Sequence, residues 1–277
     1  MNVVSYFNGM NCGMLAVDKS EIKVDNYYSY EIDKYANIIS QKNYPNTKQM
    51  GSVVDADLSI LPKIDLLIGG SPCQSFSIMG DGTGFDGSSG LFWEFVKAKE
   101  TLNPKYWMLE NVRMKNEWRD KITEILGVEP IKIDSGLLST QRRNRYYWTN
   151  IPNIEQPKDL GLDFRNVIET LVDERYFLTE RAVERVREKQ GFDLVKEKAK
   201  CLFATYYKNN SNSREGQIVE TNGKLRRLTP KECEILQTIP IGYTLGVSDT
   251  QRYKTVSYTH LRAHETPEHL VCRLLLE

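Results

Sequence analysis

The residues best suited to chemistry lie in one short stretch, Gly69-Gly70-Ser71-Pro72-Cys73-Gln74-Ser75-Phe76-Ser77. It follows Ile64-Asp65-Leu66-Leu67-Ile68, an apolar run that predicts a buried strand of a parallel sheet. A strand ending in glycines and a proline delivers the next residue at the sheet's carboxyl edge, where open α/β folds bind ligands. A lone free cysteine is more often a small core residue. Here Pro72 stiffens the approach, Gln74 supplies an amide, and residues 78–90 are too rich in Gly, Ser and Asp to bury a thiol. Cys73 is therefore read as a nucleophile. The matching acid is Glu110, at the end of a second apolar run, Tyr106-Trp107-Met108-Leu109, and so expected at the same edge. In isolation it would more often be a cap or an ion-pair partner. A third group, Gln141-Arg142-Arg143-Asn144-Arg145, precedes Tyr146-Tyr147-Trp148-Thr149. Arg143 and Arg145 are expected on one face of a strand with Gln141 beside them, either as a solvated edge or as a fork for an anion or a base edge.

The elements that position these groups read as an alternating α/β chain. Residues 3–7 predict a first strand, and Asn8-Gly9-Met10-Asn11-Cys12-Gly13 a glycine-bearing loop before a helix opening at Met14. Such a loop lets backbone amides approach a ligand closely, although a lone G-x-x-x-G also suits a tight turn. Residues 27–31 predict a second strand ending in Glu31, placed to accept hydrogen bonds from ribose hydroxyls or to neighbour a helix cap. Together the two features fit an adenosine-containing cofactor at the switch point of a doubly wound sheet. A helix is expected from Gly90 onward. Composition changes after Pro152: residues 179–200 are charged and helix-forming, and residues 208–215 form a polar loop. Regular structure resumes at Arg226, with Thr229 as helix N-cap, Pro230 at the first helical position and Glu232 at the third.

From Val256 the text VSYTHLRAHETPEHLVCRLLLE continues no upstream pattern and reads as the translation of a transposon-type sequencing adapter. Residues 255–277 are accordingly expected to be non-native, the alternative being a natural amphipathic helix. All three histidines (His260, His264, His269) and Cys272 lie there. Residues 1–254 thus hold no histidine, which excludes Ser-His-Asp and Cys-His catalysis and His-ligated zinc, and no metal is expected. Acid-base work falls to carboxylates, Lys, Tyr or water. The chain has 40% hydrophobic residues and zero net charge, so nucleic-acid binding would need a local basic face. No apolar run approaches the roughly 20 residues of a membrane span. Unpaired cysteine spacing and the lack of a leader pattern favour a reducing cytoplasm.

In order, Phe7-x-Gly9-x-x-x-Gly13, Glu31, Gly69-x-Ser71-Pro72-Cys73-Gln74, Gly90-Leu91-Phe92, Glu110-Asn111-Val112, Gln141-x-Arg143-x-Arg145 and Arg227-Leu228-Thr229-Pro230-x-Glu232-Cys233-x-x-Leu236-Gln237 resemble the C5-cytosine DNA methyltransferase family in a small, phage-like form. The resemblance spans nearly all of residues 1–254. It implies a doubly wound, Rossmann-like α/β fold: a catalytic domain over residues 1–150, a target-recognition lobe over 151–225, and a return segment over 226–254. It implies S-adenosylmethionine held by Phe7, Gly9, Gly13, Glu31, Ile32, Ser52, Pro72 and Leu91, and a catalytic set of Cys73, Glu110, Arg143, Arg145 and Gln141. Cys73 would add to C6 of a flipped cytosine, Glu110 would hold its N3/N4 edge, and Arg143 its O2. The implied partner is double-stranded DNA, bound by a monomer in a bacterial or phage-infected cell, with a cognate restriction endonuclease as the partner the family admits.

Two departures stand out. Ser52 follows Gly51 where the family usually has Asp, so the carboxylate that meets the adenine is missing or shifted to Asp55. The family's final Asn-containing turn and helix should follow Lys254, where the adapter-like text stands; weakened cofactor binding and low activity are implied. Other readings stay open: a tRNA cytosine methyltransferase sharing Cys73 and Glu110, and an inactive DNA-binding relative. Amino-group methyltransferases would want a Pro-Pro-aromatic loop, and a nicotinamide dehydrogenase leaves Cys73 and the arginines unexplained.

Overall fold

The computed structural model describes residues 1–72, 88–188, 194, 197–203, 205, 206 and 217–257. They fall into two compact units, one comprising Met1–Asp134 with Asn144–Pro157, the other Ser135–Arg143 with the described residues from 158 onward.

The first unit carries β1 (Asn2–Tyr6), α1 (Cys12–Lys19), β2 (Asn26–Tyr30), α2 (Lys34–Asn43), β3 (Lys48–Gly51), β4 (Leu66–Gly69), α3 (Phe92–Leu102), β5 (Tyr106–Val112), α4 (Asn116–Leu126), β6 (Ile131–Asp134) and β7 (Asn144–Thr149). They build one seven-stranded sheet in the order β3-β2-β1-β4-β5-β7-β6. Pairing is parallel from β3 to β5, and β7 runs antiparallel to both β5 and β6. The chain steps outward from β1 to β3, then returns to lay β4 on the other side of β1. This is the doubly wound arrangement, with its switch point between β1 and β4.

Continuous apolar strands fit because both sheet faces are covered. Side chains alternate between faces. Val4, Tyr6, Leu67, Leu109 and Trp148 enter one buried cluster, while Val3, Leu66, Ile68, Met108 and Tyr147 enter another. Cores on both sides hold the strand ends in fixed register.

The second unit holds α5 (Glu180–Glu188), β8 (Ile218–Thr221), β9 (Lys224–Arg227), α6 (Pro230–Leu236) and α7 (Asp249–Ser257). β8 and β9 form a hairpin across Asn222-Gly223, both at positive φ, the backbone that a two-residue turn of this twist demands. The expected capping box is present: Thr229 accepts from the Glu232 amide, and Glu232 accepts from the Thr229 amide. Of the expected helix over 179–200, α5 covers Glu180–Glu188, and the described residues 194 and 197–200 are not helical.

β9, α6 and α7 belong to the second unit. A buried charge network ties β9 to α6. The Arg226 guanidinium, fully buried, makes two bonds to the equally buried Glu232 carboxylate, at 2.7 and 2.8 Å, and further bonds to Thr221 and to the carbonyls of Glu169 and Arg227. Thr255, Val256 and Ser257, read from sequence as tail, continue α7, and Val256 is fully buried. Residues 258–277 lie outside the described ones.

A buried ion pair costs most when one partner is removed, because the other is stranded without water. Glu232→Ala is expected to lower unfolding free energy by about 3–5 kcal/mol. Loss of the cap through Thr229→Ala should cost about 1 kcal/mol. Urea unfolding of the two variants checks the order, and equal losses would contradict it.

Candidate active site

β4 and β5 run parallel to Gly69 opposite Leu109, where β4 ends. β5 continues for three residues with β7 alone beside it, Glu110 opposite Tyr147 and Val112 opposite Arg145. Glu110-Asn111-Val112 forms the end of β5, and the carboxylate lies just past the end of its parallel neighbour. Gly69 is required there, since a Cβ would come within 2.7 Å of the Phe95 ring. The chain then turns through Gly70 and Ser71, and Asn111 Nδ2 donates to the buried Ser71 Oγ at 3.1 Å, tying the turn to β5. Pro72 is partly buried. Cys73, expected as the nucleophile, lies outside the described residues, as does Gln74.

Glu110 is 1% exposed, and Arg145 Nε lies 2.8 Å from its Oε1. The register explains the pair. Tyr147 faces Glu110 and Arg145 lies two residues along β7 on the same face, a diagonal that a long side chain spans. A carboxylate this deep needs its cation, because desolvating an ion costs several kcal/mol.

The expected sharing of one strand face by Arg143 and Arg145 does not occur, because β7 begins at Asn144. Arg143 instead belongs to the second unit. Its carbonyl accepts from the Ser135 amide, and its guanidinium lies 3.5 Å from Cys201 Sγ. Gln141, in the same unit, is fully buried; its carbonyl accepts from the hydroxyls of Ser135 and Ser139, and it bridges to Ala199. Of the expected catalytic set, Glu110 and Arg145 are brought together within the first unit.

At the ends of β1 and β2 the loop bends through Phe7 and Gly9, both at positive φ. Gly13 lies inside α1, which begins at Cys12, two residues before the expected start. The Glu31 carboxylate accepts from the amides of Gly9, Ile32 and Asp33, each at 2.8 Å. A carboxylate offers about four acceptor positions. Three backbone bonds thus orient Glu31 and leave one for a hydroxyl. Beside it, Ile32 is 79% exposed, a flat apolar surface on which a purine can lie, and the space about the Gly9 Cα is open. This acceptor and apolar surface fit the ribose and purine of a nucleoside. Ser52 is exposed and its hydroxyl accepts from the Val54 amide, while Asp55 is exposed at positive φ. Leu91 packs against the core beside α3.

Among the described cysteines, Cys12 and Cys233 are buried. Burial, with Glu232 and Glu234 nearby, pushes the Cys233 thiol well above its ordinary range, so it is inert as a nucleophile. Burial likewise raises the phenols of Tyr6 and Tyr27, which stay protonated at neutral pH. Neither phenol can act as a base. Asn111 was not assigned a role from sequence. The available signal was a polar residue continuing an apolar strand directly after Glu110.

The family model described as C-5 cytosine-specific DNA methylase matches residues 1–126 and 132–258. The chain is 29% identical to the type II methyltransferase M1.ScrFI of Lactococcus lactis subsp. cremoris, over 91% of this chain and 72% of that one. It is 23% identical to the orphan methyltransferase M.SPRI of Bacillus phage SPR, over 97% and 76%. Among solved structures it superposes on the methyltransferase EhMeth of Entamoeba histolytica with a TM-score of 0.77 at 19% identity, covering 95% of this chain and 94% of that one, a likeness of fold.

Replacing Arg145 by Met strands the Glu110 carboxylate. A buried carboxyl without its cation favours the protonated form, so the variant's stability falls as pH rises. The expected loss at pH 8 is about 3–5 kcal/mol, and smaller at pH 5. Urea midpoints at the two pH values check this, and a loss independent of pH would contradict it.

Proposed function

The chain belongs to the C-5 cytosine-specific DNA methylase family, and we propose that it methylates C5 of a cytosine flipped out of duplex DNA, through a transient bond to Cys73. The observation that carries this reading is the buried Glu110–Arg145 pair on β5 and β7, directly beyond the end of the strand that leads to Cys73.

Ring atoms of a stacked cytosine are out of reach, so the base must leave the duplex. Cys73 thiolate then adds to C6, and the C5–C6 π electrons make C5 nucleophilic. Glu110, held by Arg145, would meet the N3/N4 edge, its carboxyl giving a proton to N3 as negative charge develops in the ring and its other oxygen accepting from the N4 amino group. Arg143 is assigned to the base's O2 on the family resemblance. Gln141 supports the arginine segment from its buried backbone bonds. S-adenosylmethionine, when bound, supplies an electrophilic methyl group. Phe7, Gly9 and Gly13 shape the loop that would receive it, Glu31 would take a ribose hydroxyl, and Ile32 would lie against the adenine. Ser52, Pro72 and Leu91 complete the proposed contacts. C5 would take that methyl group as the sulfonium becomes a thioether; water then accepts the C5 proton, and the freed electron pair restores the C5–C6 double bond and expels the Cys73 thiolate.

No helix among the described residues is long and apolar enough to cross a membrane. A monomer acting in the cytoplasm of a bacterial or phage-infected cell, with or without a cognate restriction endonuclease, is the setting we propose.

Transfer from labelled S-adenosylmethionine is measured with the protein in excess over duplex DNA or tRNA. Label in duplex DNA, mapped by bisulfite sequencing to 5-methylcytosine, is expected. Label in tRNA alone would replace the DNA reading with a tRNA one, and duplex binding without label on either would mark an inactive DNA-binding relative.

A further inference from the structure

A chain of buried hydrogen bonds runs beneath the loop between β1 and α1, and the proposed chemistry does not use it. Tyr27 Oη donates to Asn8 Oδ1 at 3.0 Å, Asn8 Nδ2 donates to Asn11 Oδ1 at 3.2 Å, and Asn11 Nδ2 donates to Thr47 Oγ1 at 2.7 Å. All four residues are buried. The links share one polarity. Turning the Asn8 amide over by itself would set its oxygen against the Asn11 oxygen, so the two amides are held in step with each other.

The loop above it needs such a hold. Phe7 and Asn11 both have positive φ, at 57° and 74°. An aromatic residue in the left-handed region is strained and persists only where its surroundings over-determine it. Asn11 is also the N-cap residue of α1, yet its side chain makes no cap bond. An N-cap Asn ordinarily spends its oxygen on the first helical turn. Here it is diverted to Asn8. The same residues control Glu31: the Asn8 amide donates to the Tyr30 carbonyl, and the Gly9 amide donates to Glu31 Oε2. Moving Asn8 moves Gly9, and with it the carboxylate.

We infer that Asn8, Asn11, Tyr27 and Thr47 are positioning residues that hold the Phe7–Gly9 bend and the Glu31 carboxylate in the form that receives the adenosine part of the methyl donor. The inference rests on the proposal that S-adenosylmethionine binds this loop. The relay acts through Gly9 and Glu31 and touches neither reacting carbon.

The test uses the full chain and S-adenosylhomocysteine as probe in titration calorimetry, with donor KM and kcat measured alongside. Tyr27→Phe and Thr47→Val each remove one link, and Thr47→Ser keeps its hydroxyl. Each broken link is expected to weaken S-adenosylhomocysteine binding about tenfold, the scale of one hydrogen bond. Donor KM should rise in step while kcat at saturating donor and affinity for duplex DNA stay level, and Thr47→Ser should restore binding. If the parent chain binds the probe and the broken-link variants bind it equally well, the relay is overturned while the cofactor reading stands. Should the parent chain bind no S-adenosylhomocysteine, both fall. Equal losses of probe and DNA affinity with a lowered melting temperature would mark a folding role alone and also overturn the inference.

Discussion

The structure turns on a difference in strand length. β4 stops at Gly69, while β5 runs on to Val112 with β7 as its partner. The extra residues carry a carboxylate past the end of the parallel pair and into a place without water. A cation on the neighbouring strand helps to make that tolerable, and antiparallel pairing supplies it by setting Arg145 diagonal to Glu110. Slipping β7 by one residue would send Arg145 to the other face, away from the carboxylate.

The same edge would serve both proposed ligands because the sheet is doubly wound. The switch point lies between β1 and β4, so the loop after β1 and the turn after β4 leave the sheet side by side. One is tied through the Gly9 amide to Glu31, which with Ile32 is proposed to receive a nucleoside. The other leads through Ser71 and Pro72 toward Cys73, braced by Asn111. Apolar cover on both faces keeps these ends in register, so the core of the first unit is directly the support of the site.

Much of this was legible beforehand where the signal is local. The Thr229-Pro230-x-Glu232 cap is a contact between neighbours in sequence, and it formed as read. Glu31 at the end of β2 and the buried β4 and β5 runs were likewise readable from apolar run lengths. Long-range register was not. Nothing local says that Arg145, and not Arg143, pairs with Glu110, because that depends on where β7 begins. Nor does local pattern show that Arg226, one residue before the motif arginine, is the buried partner of Glu232. The hairpin across Asn222-Gly223 was a local signal that went unread. The buried relay under the cofactor loop joins residues from Asn8 to Thr47, which only the fold brings together.

The central claim, a transient sulfur–carbon bond made beside Glu110, is tested most directly by trapping. A duplex carrying 5-fluorocytosine at the target lets the thiolate add and the methyl group arrive, but fluorine cannot leave C5 as a proton does, so the adduct persists. With S-adenosylmethionine present, a protein–DNA adduct that survives denaturing electrophoresis should form, and Cys73→Ser should abolish it. An adduct of equal yield from Cys73→Ser, or methylation of ordinary duplex DNA by that variant, would contradict the account.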